Sequence, residues 1–136
     1  MGLRALVAGW LARLLTEKPL GLRGEAAAAR HLKRLGYKVV ARGDRSVGGE
    51  LDLVAVDGRT IVFVEVKTRR SQQRGRPAEA VDAVKQRRLA RAAEVFLKRR
   101  GLLDYPARFD VVAVTWPEDG RRPEIEHFKD AFEKPG

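Results

Sequence analysis

The chain contains no cysteine, so disulfides, thiolate zinc sites, iron–sulfur clusters and cysteine nucleophiles are excluded. Histidine is scarce: His31 and His127 are the only two, too few for a histidine-built metal centre. Asparagine is absent altogether. No apolar run approaches the roughly 18 residues that a membrane span needs. The N-terminus lacks the unbroken apolar stretch and small-residue cleavage site of a signal peptide, so the expected compartment is the cytosol, with no transmembrane segment. Walker loops, dinucleotide fingerprints and hydrolase nucleophile elbows are missing too. What is present is 136 residues, 44% hydrophobic and 34% charged, enough for one packed domain and too apolar for a disordered chain.

Charge is abundant and of one dominant sign. Twenty-eight Lys and Arg against 18 Asp and Glu leave a net +10, with a sequence pI of about 10.6. The excess is uneven: residues 67–100 hold 12 basic and 3 acidic groups, net +9, whereas 101–136 are net −3. A concentrated basic block on a small domain is the footprint of a polyanionic partner. The alternative is a solvated helix face. Twenty of the cations are Arg, which together with the lack of Asn fits a heat-adapted host and raises the charge count independently of binding.

Residues 1–18 have the stripe of an amphipathic helix (Leu3, Leu6, Val7, Trp10, Leu11, Leu14, Leu15), ended by Pro19 and Gly21. We divide the chain into this segment, 1–20, and a domain over 21–136. The stripe could dock on the core, on a second subunit or on a membrane surface. A second helix is predicted over 22–35, with Leu22, Ala26, Ala29, Leu32 and Leu35 inward. Strands follow at Tyr37–Ala41, Leu51–Val56 and Thr60–Lys67, with a polar turn over 42–49. Pro77 opens a helix that runs to about Arg100. Phe109–Val114 is a further strand and Glu124–Phe128 a candidate last one. The order α-β-β-β-α-β is that of an α/β fold with helices flanking a mixed sheet.

The stretch Ile61-Val62-Phe63-Val64-Glu65-Val66-Lys67 is apolar at both parities, as a central strand covered on both faces is. Glu65 inside it is costly unless a cation compensates it, and Lys67 lies two residues on, on the same face. If Asp57-Gly58 is the two-residue turn, Glu50 faces Glu65 and Asp52 lies diagonal to it, about 7–8 Å away between backbones. Glu50, Asp52, Glu65 and Lys67 then project from one face. Three carboxylates beside one lysine are reconciled by a hard divalent cation, Mg²⁺ or Mn²⁺, with oxygen ligands. That is equipment for metal-assisted phosphodiester hydrolysis. The plainer alternative is a buried Glu65–Lys67 pair with Glu50 and Asp52 at a solvated rim.

At these residues the chain resembles the PD-(D/E)xK nucleases and, more closely, the YraN family. The resemblance is carried by Gly24-Glu25, Gly49-Glu50-Leu51-Asp52-Leu53, Phe63-Val64-Glu65-Val66-Lys67-Thr68-Arg69, Lys85, Arg108-Phe109-Asp110-Val111-Val112 and Ala131-Phe132, over roughly 21–132. It implies a restriction-endonuclease-like core, with Asp52 and Glu65 as metal ligands and Lys67 as the catalytic lysine; the register reading adds Glu50 to the metal-binding and catalytic candidates. Likeness to archaeal Holliday-junction resolvases implies a metal role for Glu25, which as a carboxylate at a helix start also suits the dipole. The turn Arg42-Gly43-Asp44-Arg45 departs from the family's Asn-x-x-Arg-like pattern.

Arg69, Arg70, Arg74 and Arg76, read as a loop after the catalytic strand, could clamp backbone phosphates or stay solvated. Lys85 interrupts its helix's apolar stripe and could snorkel to water or hold a phosphate. Asp110 is expected to pair with an arginine, and Trp10, Trp116, His31 and His127 to pack or lie on the surface. The resulting expectation is a Mg²⁺- or Mn²⁺-dependent nuclease on branched or structured nucleic acid, DNA ahead of RNA. A symmetrical junction would imply a homodimer. The alternatives are a nucleic-acid-binding module with a vestigial metal site, and a membrane-surface or partner-docking protein built on the N-terminal helix.

Overall fold

The computed structural model describes residues 20–45, 49–71 and 81–134. The expected N-terminal helix over 1–18, Arg74, Arg76 and Pro77 lie outside them. A mixed five-stranded sheet, in the order β1 (Lys38–Asp44), β2 (Leu51–Asp57), β3 (Thr60–Arg70), β4 (Ala107–Trp116) and β5 (Glu124–Phe132), forms the body. Only β3 and β4 run parallel, joined through helix α2 (Ala83–Arg99). Helix α1 (Leu20–Arg34) precedes the sheet. This is an α/β fold with a restriction-endonuclease-like core.

The alternation of side chains along the strands divides the core into two layers. Ile61, Phe63, Phe109 and Val111 pack with Leu89, Ala92, Ala93 and Phe96 of α2. Val62, Val64, Val112, Val114, Leu53 and Ala55 pack with Ala27, Ala28, Ala29 and Leu32 of α1. The helices therefore cover opposite faces, and Ile61 through Glu65 are all buried, as a central strand requires. Helix α1 lies close to the sheet because its packing face is mostly alanine. At Gly24 a Cβ would collide with Thr68 Oγ1 on β3. Leu22 and Leu35, expected inward, are about half exposed, because the alanine face and not they meets the sheet.

Several boundaries differ from the sequence reading. The β2–β3 turn is Gly58-Arg59, since Asp57 pairs with Thr60. Gly58 takes φ +63°, as the first central residue of a II′ turn requires. The register is thereby two residues from the one expected, and an even shift keeps every side chain on its face. Strand β1 continues through Arg42–Asp44, where a turn was expected. Helix α2 begins at Ala83 and not at Pro77, because Asp82 is extended and its carboxylate caps Lys85 N–H at 2.9 Å. Strand β5 extends to Phe132, past a bulge in which Asp110 alone on β4 opposes three residues.

Candidate functional site

The ladder between β2 and β3 stops at Leu53–Val64, and one step beyond it stand Asp52 and Glu65. Asp52 Oδ2 takes over as acceptor there, receiving Val66 N–H at 2.9 Å. Helix α1 reaches the same sheet end from one face because Gly24 lets it approach Thr68, and this sets Glu25 beside β2. Glu25, Glu50 and Asp52 each present a carboxylate oxygen within 4.8 Å of the others. Three of the four predicted carboxylates therefore come together.

The fourth, Glu65, lies next to this group, 4% exposed. Its Oε1 is met by Lys67 Nζ at 3.4 Å and by Lys85 Nζ, from α2, at 2.8 Å. Lys85 thus reaches the site from α2 as the nearer cationic partner of Glu65. Its interruption of the α2 stripe was the signal for this. The hydrogen bond to Glu65, opposed by burial, raises its pKa.

The electrostatics are those of crowded negative charge. Burial, then the neighbouring Glu65 carboxylate, pushes the Asp52 carboxyl up to about 7, against the lowering effect of Val66 N–H. Burial and then Glu50 and Glu65 raise Glu25 as well, with Arg42 and Arg45 opposing. The one ion pair reaching into the triad among the described residues is Arg45–Glu50 at 3.8 Å, between largely exposed side chains. All donors here are carboxylate oxygens, with no imidazole or thiolate beside them, and this hard, under-compensated set fits Mg²⁺ or Mn²⁺.

Arg69 and Arg70 lie within β3 and not in a loop: they pair with Thr115 and Trp116, and Arg69 Nε donates to Thr115 Oγ1 at 3.1 Å. Asp110 pairs with an arginine as expected, and more tightly than that pairing alone. Fully buried on the α1 face, it accepts from Arg108 Nε at 3.0 Å, from Asp130 N–H at 2.9 Å, and meets His127 Nε2 at 2.8 Å. Burial alone would raise the Asp110 carboxyl, but these partners hold it below the ordinary value. Arg108 also donates to Asp57 and Tyr37, both at 2.9 Å. His127 is therefore a polar partner, not mere packing. Only the Arg108–Asp110 spacing was visible locally; the rest comes from three other strands or their flanks.

Residues 24–114 match the Uncharacterised protein family UPF0102. A UPF0102 protein of Geobacter sulfurreducens is 52% identical over 116 residues, covering 85% of this chain and 90% of the relative. One from Geotalea uraniireducens is 53% identical over 116 residues (85% and 91%). Another, from Symbiobacterium thermophilum, is 54% identical over 102 residues (75% and 86%). No described helix is long and apolar enough to cross a membrane. The match spans α1 from Gly24 onward, the carboxylate strands, α2 and most of β4, and the chain belongs to UPF0102, the YraN family.

Proposed function

We propose that this protein is a divalent-metal-dependent nuclease that hydrolyses phosphodiester bonds in nucleic acid, with branched or structured DNA as its substrate. The observation that carries this reading is the convergence of Glu25, Glu50 and Asp52 beside the buried Glu65–Lys67 pair. Glu25, Glu50, Asp52 and Glu65 would hold Mg²⁺ or Mn²⁺. Such an ion, when bound, neutralises charge on a phosphoryl oxygen and lowers the pKa of a bound water.

The chain's own groups do the rest. Asp52 is oriented by Val66 N–H, and Glu25 is set by the Gly24–Thr68 approach. Lys67 keeps its ammonium beside Glu65 and offers charge to the oxygens of the phosphate as negative charge develops there. Water adds to phosphorus and the sugar oxygen leaves with a proton. Cutting both strands of a symmetrical junction would require two such sites and hence a homodimer. The second reading, a nucleic-acid-binding module without catalysis, draws on one observation: Lys67 and Lys85 both approach Glu65 Oε1 and offset its charge.

The test is cleavage of a labelled four-way junction, linear duplex, single strand and structured RNA, each with Mg²⁺, Mn²⁺ or EDTA, beside Glu65→Gln. Metal-dependent cutting that is lost in the variant supports the nuclease, and the preferred probe names its substrate. Tight binding without cutting, unaffected by the substitution, favours the second reading.

A further inference from the structure

Of the four carboxylates, Glu50 also forms part of the wall of a larger feature. Between β2 and α2 lies a hollow of about 480 Å³, with Glu50 on one side and Lys85, Arg88 and Arg91 on the other, over an apolar floor of Leu89 and Ala92. The three cations stand at i, i+3 and i+6 on α2, neighbours along one face with a rise of about 4.5 Å between each. Lys85 is engaged by Glu65. Arg88 and Arg91 are exposed, and among the described residues neither forms an ion pair. Ion-pair partners were available to other arginines of this chain, such as Arg100 with Asp44 and Arg121 with Asp119.

Two guanidiniums with no ion pair among the described residues, lining a cavity that shares Glu50 with a candidate phosphodiester-cleaving site, are placed for a second phosphate of the same strand. Guanidinium offers planar, paired donors suited to phosphate oxygens. The apolar floor suits the sugar face between two phosphates. Resting on the proposed function, we infer that this hollow is a backbone subsite: Arg88 and Arg91 clamp the phosphodiester next to the one at the carboxylates and so position the strand. They are positioning residues, not catalytic ones. The arginines near the end of β3 do not fill this role, because they do not line the hollow. Glu50 is the single anion in its lining, and a cation held by Glu50 would remove its repulsion of the incoming phosphate.

The experiment is binding of fluorescein-labelled junction, duplex and single-stranded DNA, and of a labelled RNA hairpin, in EDTA over a series of salt concentrations. It compares the wild type with Arg88→Gln, Arg91→Gln and the double variant, with Arg121→Gln as a remote control. Glutamine keeps helix propensity, and thermal melting checks that the fold is intact. Each α2 substitution is expected to weaken binding about 3- to 10-fold at low salt and to reduce the slope of log K against log salt by about 0.7–0.9. The control should leave both unchanged. Equal affinity and equal slope for wild type and double variant overturn the inference, as does the absence of binding to every probe. The outcomes separate from the parent reading. Metal-dependent cutting with an unchanged slope sinks the subsite and keeps the nuclease; a lost slope without cutting under any metal keeps the subsite and favours the binding module.

Discussion

Replacing Asp52 by Asn should stabilise the metal-free protein while abolishing its response to metal. Burial, and then the neighbouring Glu65 carboxylate, raises the Asp52 carboxyl from 3.8 to about 7. At about 1.4 kcal/mol per pH unit, holding it ionised in the fold costs up to about 4 kcal/mol. Because the folded-state value lies above the unfolded one, the folded chain binds this proton more tightly. The contribution of this group to stability is therefore greatest below about pH 4 and is lost as pH rises through about 7. Asparagine carries no charge and can still accept from Val66 N–H through its Oδ1. At pH 8 in EDTA, Asp52→Asn should gain about 1–3 kcal/mol, or roughly 4–15 °C in melting temperature for a domain of this size. At pH 4 the two proteins should agree to within about 0.5 kcal/mol. Excess Mn²⁺ at 100 times its Kd should give the wild type about 2.7 kcal/mol, and the variant little. Calorimetric melting at both pH values, with and without Mn²⁺, reads all of this. A variant less stable than wild type at pH 8 in EDTA, or equally stabilised by Mn²⁺, would refute the reasoning.

Asp110→Ala should cost about 2–4 kcal/mol in urea unfolding, because it removes the fully buried carboxylate that joins the part-buried Arg108 to His127 and Asp130 N–H; a loss under about 1 kcal/mol would contradict the network. Since its partners hold the Asp110 carboxyl below the ordinary value, its contribution is present above about pH 4 and disappears as pH falls through the folded-state value. The variant's deficit should accordingly shrink in acid. Gly24→Ala should destabilise by about 1–3 kcal/mol through the clash with Thr68. Thr68→Ala should recover part of that loss in a double-mutant cycle, and additive losses would show the two do not meet. Leu35→Gln should change stability by less than about 0.5 kcal/mol, as its exposed position requires.

How far the sequence could be read depended on the range of each interaction. The burial of β3 was legible because apolar residues at both parities permit no half-exposed strand. The carboxylate face was legible for a related reason. Moving the turn from Asp57-Gly58 to Gly58-Arg59 changes the register by two, and the pleat has period two, so Asp52 and Glu65 moved from diagonal to opposite without leaving their face. Glu25 was found through resemblance; what sets it is the Gly24–Thr68 approach, a contact between elements that no local pattern encodes.

The errors share a cause. Leu22 and Leu35 fit a helical stripe, yet three consecutive alanines and Leu32 make the α1 contact, since small side chains allow a closer approach to the sheet. Pro77 is a good first helical residue, but the Asp82 carboxylate on Lys85 N–H sets the start of α2. His127 looked like packing because its partner is 17 residues away on another strand. In each case tertiary contact outweighed local preference.

The central claim is that these carboxylates and Lys67 carry metal-dependent hydrolysis. Its most direct test is the single-turnover cleavage rate of the preferred labelled substrate in Mn²⁺, for wild type and Lys67→Met, with binding affinity measured in parallel. The account predicts a rate loss of about 10²-fold or more with affinity changed less than about 3-fold. An unchanged rate in the variant, or a wild type that cuts nothing in either metal, would contradict it.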